Sequence, residues 1–200
     1  KEVRFLDCDP ESLELVFEKA PNLEILYLNN GDADLLRKLA ELNPKLTGLY
    51  LYNFQVSELQ ILSKLTQLKY LLFDWNSKAT KLWDIASMKA IEGVSIGDFK
   101  RLSNIDHLKR VTQLKELTLG GGMNSKLNLD SLNPLSGLKT LEYLSLSNIN
   151  VSKDGLQPLR VLKNLKELDL SNQFETKEYA ELSVYLKDTK CSSFAAYIHL

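Results

Sequence analysis

The chain has 200 residues, of which 44% are hydrophobic and 26% are charged, a composition typical of a folded domain. Its 25 Lys and Arg nearly balance its 26 Asp and Glu, so the net charge of −1 provides no general attraction for nucleic acid or an anionic membrane. No apolar run approaches the roughly 18 residues that a membrane-spanning helix requires.

A short apolar pattern recurs along the whole chain. It reads LEILYL from residue 23, and similar stretches begin at residues 46, 68, 91, 114, 141 and 165, with weaker relatives at 3 and 191. The second apolar position marks each unit, and successive markers are 20 to 27 residues apart: Leu6, Leu26, Leu49, Leu71, Val94, Leu117, Leu144, Leu168 and Phe194. Nine units at this period predict one elongated repeat domain over residues 1–200.

The L-x-x-L-x-L pattern resembles that of leucine-rich repeat proteins, and the resemblance covers essentially the whole chain. It implies an α/β solenoid with a continuous parallel sheet on the concave face. Stacking of neighbouring units would bury the inward Leu side chains. The segments between strands, ESLELVFEKA, DADLLRKLAEL, SELQILSKL and DGLQPLRVL, are apolar at helical spacing and predict helices. The connection from Gly120 to Lys139 is predicted to loop outward.

One feature departs from the family pattern. Leucine-rich repeats usually place Asn or Cys three residues after the last strand Leu, and only Asn76 fits. Four other asparagines stand one residue earlier: Asn30, Asn53, Asn148 and Asn172. We interpret them as turn residues that tolerate a left-handed backbone or bond it locally.

The two cysteines bear on the compartment. Cys8 lies in the first unit and Cys191 in the last, so strands ~4.8 Å apart would separate them by roughly 40 Å. A disulfide needs Cα atoms within about 7 Å, which excludes an intramolecular bridge. Extracellular repeat domains often have paired cysteines at their ends, and we therefore expect a cytoplasmic protein.

Residues that could support catalysis or bind a cofactor are scarce. The two histidines, His107 and His199, are far apart, and no zinc-type cluster of His and Cys is present. The run Gly120–Gly122 lacks the Gly-Lys-Ser/Thr of a phosphate-binding loop. No combination of nucleophile, base and orienting residue can be assembled, so we predict neither an enzyme nor a cofactor nor a metal site.

The strand positions that alternate with the buried Leu should form the concave surface. In this alignment Asp7 shares a column with Tyr27, and Asp9 shares one with Asn29. None of the columns contains Lys or Arg, although the chain has 25. The first four units supply the candidate partner-binding residues: Tyr27, Tyr50, Tyr52, Tyr70, Leu72, Asp74, Trp75, Asp7 and Asp9. Cross-strand aromatic stacking that only stabilises the sheet is the alternative interpretation.

The resemblance implies a protein-interaction module that binds its partner across the concave face, and an inhibitor or immunity-type protein falls within this class. The alternative is a C-terminal recognition or autoinhibitory segment of a larger protein. Columns without basic residues argue against nucleic acid and favour a partner with Lys or Arg at its rim. Strand one, from Val3 to Leu6, has no preceding cap, which predicts either preceding native sequence or end-to-end association through this edge.

Overall fold

The computed structural model describes residues 2–7, 9–42 and 45–197, and these contain ten β-strands and three α-helices. The strands are β1 Glu2–Asp7, β2 Ile25–Gly31, β3 Gly48–Phe54, β4 Tyr70–Asn76, β5 Gly93–Phe99, β6 Glu116–Gly120, β7 Leu127–Ser131, β8 Tyr143–Ser147, β9 Ile149–Lys153 and β10 Glu167–Leu170. The helices are α1 Pro10–Lys19, α2 Ala33–Leu42 and α3 Thr176–Tyr185.

Eight of these strands form one parallel sheet in the order β1-β2-β3-β4-β5-β6-β8-β10. The register places Leu26 beside Leu49, and Leu49 beside Leu71, so equivalent positions of successive repeats are neighbours. A repeat of nearly constant length produces this arrangement, because each connection returns the chain to the start of the next strand. The predicted α/β solenoid with a continuous parallel sheet is confirmed.

The inward strand positions form the centre of the hydrophobic core. They are buried in consecutive strands and make ladders that run across the sheet: Leu26, Leu28, Leu49, Leu51, Leu71, Phe73, Val94, Ile96, Leu117, Leu119, Leu144, Leu146, Leu168 and Leu170. Three phenylalanines extend the core, since Phe73 packs edge-to-face on Phe54 and Phe99, with ring centroids 6.3 and 4.9 Å apart. One cluster of buried side chains includes residues from Leu13 to Phe194. That residues 1–200 make a single domain stays a prediction.

The connections on the other side of the core change type along the chain. The first two predicted helices are confirmed as α1 and α2, but the segments SELQILSKL and DGLQPLRVL form 3₁₀ helices at Gln60–Lys64 and Gln157–Val161. The reason is the spacing: Leu59, Leu62 and Leu65 are buried at three-residue intervals, which is the 3₁₀ period and not the 3.6-residue α period. Further 3₁₀ segments lie at Ile85–Ser87, Asp106–Arg110 and Asn133–Gly137.

The connection from Gly120 to Lys139 does not loop outward as predicted. A turn closed by a bridge between Gly122 and Ser125 leads into β7, which pairs in parallel with β9 in a second, two-stranded sheet. The buried side chains of Leu127 and Leu129 explain this path, because they belong to the same hydrophobic core.

The ninth unit is not a strand. Phe194 is buried, but it lies in a 3₁₀ segment, Ser192–Tyr197, and a β-bridge between Glu167 and Lys190 joins this part of the chain to the sheet edge. Before it, α3 begins with a capping box between Glu175 and Glu178, which satisfies N–H groups at its first turn.

The structure describes only one of the two cysteines. Cys191 carries a free, half-buried thiol, and burial raises its pKa. Cys8 lies outside the described residues, so the expected absence of a bridge and the cytoplasmic location stay predictions.

Candidate functional site

The outward aromatic side chains of β2, β3 and β4, some exposed and some half-buried, lie together on the open face of the sheet. We call them, with one leucine, the aromatic patch: Tyr27, Tyr50, Tyr52, Tyr70, Leu72 and Trp75. The parallel register places Tyr27 beside Tyr50 and Tyr50 beside Leu72. Ring centroids are 5.3 Å apart for Tyr27 and Tyr50.

Part of this patch is well exposed to solvent. Tyr70 and Leu72 are 42% and 44% exposed, and Tyr52 and Trp75 are 38% and 37% exposed. The rings of Tyr52 and Trp75 lie 5.5 Å apart and are tilted by 55°. Large apolar side chains this open to water, adjacent on two strands, form a contiguous surface of the kind that binds other molecules.

A hollow of about 370 Å³ opens within the patch, and it is lined mainly by Ile25, Tyr27, Gly48, Tyr50, Tyr70 and Leu72. Gly48 leaves a gap in the outer row of side chains, because it pairs with Ile25 on one side and with Tyr70 on the other. The space above Gly48 is free enough that an added methyl group would come no closer than 3.4 Å to Ile25 Cγ1. The hollow can therefore accept an apolar side chain from another molecule.

Asp74 is an acidic group within this surface. It pairs with Tyr52 in the register, and its carboxylate is so close to Gly97 of β5 that a methyl group there would overlap Asp74 Oδ1. Burial raises the pKa of the Asp74 carboxyl, and the carboxylate of Asp98 raises it further. Burial, followed by the charge of Asp74, also raises the pKa of Tyr50. Negative charge is thus disfavoured here, and within the described residues no Lys or Arg forms an ion pair with Asp74.

The two N-terminal carboxylates lie elsewhere than predicted. A register irregularity in β1 places Leu6 beside Leu28 and Asp7 beside Asn29, so Asp7 does not share a column with Tyr27. Asp9 lies after β1 and caps α1, where its Oδ1 accepts the Ser12 N–H at 2.7 Å. This bond lowers the pKa of Asp9. The placement of Asp9 on the sheet face was wrong, because the residue ends a strand and begins a helix.

Asp7 belongs to a polar ladder along the edge where the strands end. Asn30 Nδ2 donates to Asp7 Oδ1 at 3.0 Å, and Asn53 Nδ2 donates to Asn30 Oδ1 at 2.6 Å. Gln55 Nε2 then donates to Asn53 Oδ1 at 2.9 Å and to the Trp75 carbonyl at 3.0 Å. The ladder connects successive repeats and ends at the carbonyl of Trp75, a residue of the aromatic patch.

Backbone conformation along the same edge confirms the interpretation of three of the four asparagines, since Asn30, Asn53 and Asn148 have φ of +52°, +57° and +50°. Asn172 is not among the left-handed residues. The equivalent positions of β4 and β5 are also left-handed, and they are occupied by Trp75, with φ of +62°, and Asp98, with φ of +46°.

Three lysines paired with glutamates stand at the opposite edge, where the strands begin. There Lys115 Nζ lies 2.9 Å from Glu92, Lys166 Nζ lies 2.5 Å from Glu142, and Lys190 Nζ lies 3.3 Å from Glu167. These exposed pairs contribute little stability, but they leave the three lysines already matched with carboxylates. The open face from β2 onward therefore carries aliphatic, aromatic, small and acidic side chains.

Sequence reasoning missed three contributors to the site. Gly48 was placed in the same outward column as Ile25 and Tyr70, and a glycine between these two large residues could have predicted the hollow. Asp98 gave no signal, because it acts on Asp74 from a turn position of the next strand. Gln55 gave none either, since its reach to the Trp75 carbonyl depends on the folded turns.

Chemistry of other kinds finds little support in the described part of the chain. No three His, Cys, Asp or Glu residues there are grouped closely enough to hold a metal ion. His107 is half-buried, and its Nδ1 has no hydrogen-bond partner among the described atoms. None of the helices in the described residues has the length and apolar character that crossing a bilayer requires.

Comparison with known proteins identifies the fold. No family model matches the chain, and no curated protein matches it in sequence. Among solved structures, internalin C2 of Listeria monocytogenes is similar with a TM-score of 0.59 and 21% identity, over 84% of this chain and 73% of that one. A leucine-rich repeat protein of Leptospira interrogans gives a TM-score of 0.64 and 23% identity, over 84% of this chain and 42% of that one.

A third similar structure is the TLR13–ssRNA13 complex, with a TM-score of 0.68 and 18% identity, over 96% of this chain and 32% of that one. The chain thus spans less than half of two of these three proteins. Together with the parallel sheet, these similarities show that the chain has the leucine-rich repeat fold.

Proposed function

We propose that this chain is a non-enzymatic protein-interaction module that binds a protein partner through the aromatic patch. The observation that carries the proposal is the group of exposed apolar side chains around the hollow above Gly48. Tyr and Trp bury a large apolar area on binding and keep a polar atom for hydrogen bonding, which makes them frequent hot spots of interfaces.

Sheet packing alone is the competing explanation, and the rest of the same sheet argues against it. Ser95, Thr118 and Ser145 occupy the column that contains Tyr50 and Leu72, in strands of the same register. The scaffold therefore forms with small side chains at these positions. Strand pairing in this sheet therefore does not require the aromatic residues on β2 to β4.

Charge defines the partner further. Asp74 and Asp98 lie beside the patch without a matching cation among the described residues, so a partner with Lys or Arg at its rim gains attraction on approach. This attraction should speed association at low salt and weaken as ionic strength rises. Glu116, exposed on the same face, extends the negative surface toward the C-terminal strands, whereas Glu167 is already paired with Lys190.

The wider context is part of the proposal. We propose a cytoplasmic protein, with an inhibitor or immunity-type role as one form of it and a recognition or autoinhibitory segment of a larger protein as the other. End-to-end association through β1, an edge strand of the sheet, remains proposed. We also keep the exclusion of nucleic acid as a prediction that rests on charge, since TLR13 was solved with an RNA and the fold alone does not exclude one.

The test begins with partner capture from source lysate and continues with titration of the purified partner against single variants. Tyr70→Ala should weaken binding by roughly 2 kcal/mol, which is about 30-fold in Kd, because it removes an exposed ring at the wall of the hollow. Ser95→Ala is the matched control, because it lies on the next strand of the same face, and it should leave Kd within about twofold.

Thermal unfolding of the same variants separates binding from packing. Tyr70→Ala should melt close to the wild type, since 42% of the side chain is exposed. A sharp loss of melting temperature with unchanged partner affinity would refute the interaction site and favour sheet packing. Fluorescence anisotropy with a labelled single-stranded RNA tests the competing ligand. If the protein bound this RNA tightly and Tyr70→Ala weakened the binding, RNA and not a protein would be the ligand of the patch.

A further inference from the structure

Trp75 has a backbone conformation that its residue type rarely adopts. Its φ is +62°, in the left-handed region where the side chain of an L-residue approaches the following carbonyl. The equivalent residues of neighbouring repeats are Asn53, with φ of +57°, and Asp98, with φ of +46°. Asn and Asp are enriched in this conformation, whereas a bulky residue is an outlier.

The surrounding turn forces this conformation on residue 75. The next residue, Asn76, is fully buried and its amide bonds the carbonyls of Phe54 and Val56 at 2.7 and 2.8 Å. Gln55 Nε2 holds the Trp75 carbonyl itself at 3.0 Å. The backbone is therefore fixed whatever the side chain at residue 75 is, and an Asn there would be less strained.

The Trp75 ring does not serve the core. It is 37% exposed and contacts Tyr52 on the open face, with 5.5 Å between ring centroids. Strained residues persist where function requires the side chain, and the inference runs from the observed outlier to a role. The ring must be useful on the side that faces solvent.

We propose that Tyr52, Asp74 and Trp75 form a subsite that receives one arginine side chain of the protein partner. Trp75 follows Asp74 directly in β4, and Tyr52 pairs with Asp74 across the sheet, so the two rings, which contact each other, lie at positions next to this carboxylate. A guanidinium group can lie flat on an aromatic ring and still donate to a carboxylate, which an ammonium group does less well. This inference rests on the proposed function and names the chemistry of one part of it.

Charge around the subsite favours this occupant. Asp98, on the next strand, adds its field to that of Asp74, and its own Oδ1 accepts the Ser125 hydroxyl at 2.6 Å. Neither carboxylate forms an ion pair with a described Lys or Arg. An arriving cation would offset the repulsion between them.

The experiment is selection of a displayed random peptide library on the wild-type protein, followed by affinity measurement of enriched peptides on variants. Peptides that bind the wild type should be enriched in arginine beside an apolar residue. Replacement of that arginine by lysine should lower affinity severalfold, and Trp75→Ala should lower it at least tenfold. Val184→Ala, which removes an exposed apolar side chain on α3, is the control and should change nothing.

A pair of variants tests the strain independently of any ligand. Trp75→Asn and Trp75→Ala both remove the ring, but only Asn suits the left-handed backbone, so Trp75→Asn should melt a few degrees above Trp75→Ala. It should also melt no lower than the wild type. A wild type that is clearly more stable than Trp75→Asn would give the ring a structural role and overturn the inference.

The outcomes distinguish the subsite from the proposed function. Peptides that lose affinity on Tyr70→Ala but bind Trp75→Ala unchanged would overturn the arginine subsite and leave the aromatic patch intact. Enriched peptides without arginine would do the same. Peptides that bind both variants as well as the wild type, or no enrichment at all, would count against the patch and the subsite together.

Discussion

Replacement of Asn76 by Ala should be among the most destabilising single changes in the chain. The side chain is fully buried and makes four hydrogen bonds to backbone groups of two repeats. Its Nδ2 donates to the carbonyls of Phe54 and Val56 at 2.7 and 2.8 Å, and its Oδ1 accepts the N–H groups of Lys78 and Ala79, both at 2.8 Å.

The size of the stability loss follows from which hydrogen bonds each backbone group keeps when the Asn76 amide is removed. The Phe54 carbonyl keeps the Val56 N–H at 3.0 Å, and Lys78 is exposed, so its N–H can bond water. The Val56 carbonyl and the N–H of Ala79, both in buried residues, are left unsatisfied. At about 1–3 kcal/mol for each unsatisfied group, the loss is about 2–6 kcal/mol, a large part of the 5–15 kcal/mol typical of a whole domain.

Urea unfolding followed by far-UV circular dichroism measures the change. Asn164→Ala is the control, because this exposed residue gives up one hydrogen bond, to the Lys139 carbonyl at 2.7 Å, and should lose no more than about 1 kcal/mol. If Asn76→Ala unfolded within 1 kcal/mol of the wild type, water would have to replace the amide, and the reasoning from unsatisfied groups would be wrong.

Two further predictions concern the patch. The pKa of Asp74 is raised in the folded state by burial and by Asp98, so its negative charge destabilises the fold above that pKa. Asp74→Asn should therefore raise the melting temperature at pH 7, and the two proteins should melt alike below pH 3.8, the ordinary pKa of an aspartate. An equal difference in melting temperature at both pH values would contradict this prediction. Gly48→Ala should keep or slightly raise stability, because the added methyl group meets Ile25 at an ordinary contact distance of 3.4 Å. It should nevertheless weaken partner binding severalfold, because the methyl group fills the hollow. Unchanged affinity would show that the hollow stays empty in the complex.

The sheet could be predicted from the sequence because the same apolar pattern recurs in every repeat. A Leu at every second strand position fixes which face is buried, and a constant repeat length fixes the parallel register. The first unit shows the limit of this argument. Leu6 and Leu26 are 20 residues apart, whereas Leu6 and its true neighbour Leu28 are 22 apart, within the common period. The short interval signalled the shift of Asp7.

The helical connections were predicted less well, since two periods look alike in short segments. In α2 the buried Leu35, Leu36 and Leu39 follow the α period. Leu132, Leu135 and Leu138, in contrast, are buried at intervals of three. Over nine residues these patterns differ by one position, so a count of apolar residues does not separate them, although the strict interval of three does.

The site could be predicted in outline but not in its geometry. The alternation of inward and outward residues placed Tyr50, Tyr52 and Tyr70 on one face. It could not give the conformation of Trp75, because a left-handed φ is expected at Asn or Gly, and here the neighbouring turn imposes it on a tryptophan. The raised pKa of Asp74 also depends on a residue of another repeat.

The repeat architecture explains how the fold tolerates one residue that has a strained backbone and faces solvent. In a solenoid each repeat contacts mainly its neighbours, so the unfavourable backbone of Trp75 is balanced locally, by Asn76 and Gln55, and does not propagate to distant strands. Asn30 and Asn53 use the same edge position to link repeats. The fold therefore offers two sets of positions that its core does not dictate, the outward strand residues and the turn residues after them. The aromatic patch lies where both sets depart from what stability alone would select, and this coincidence is the physical reason to look for the partner there.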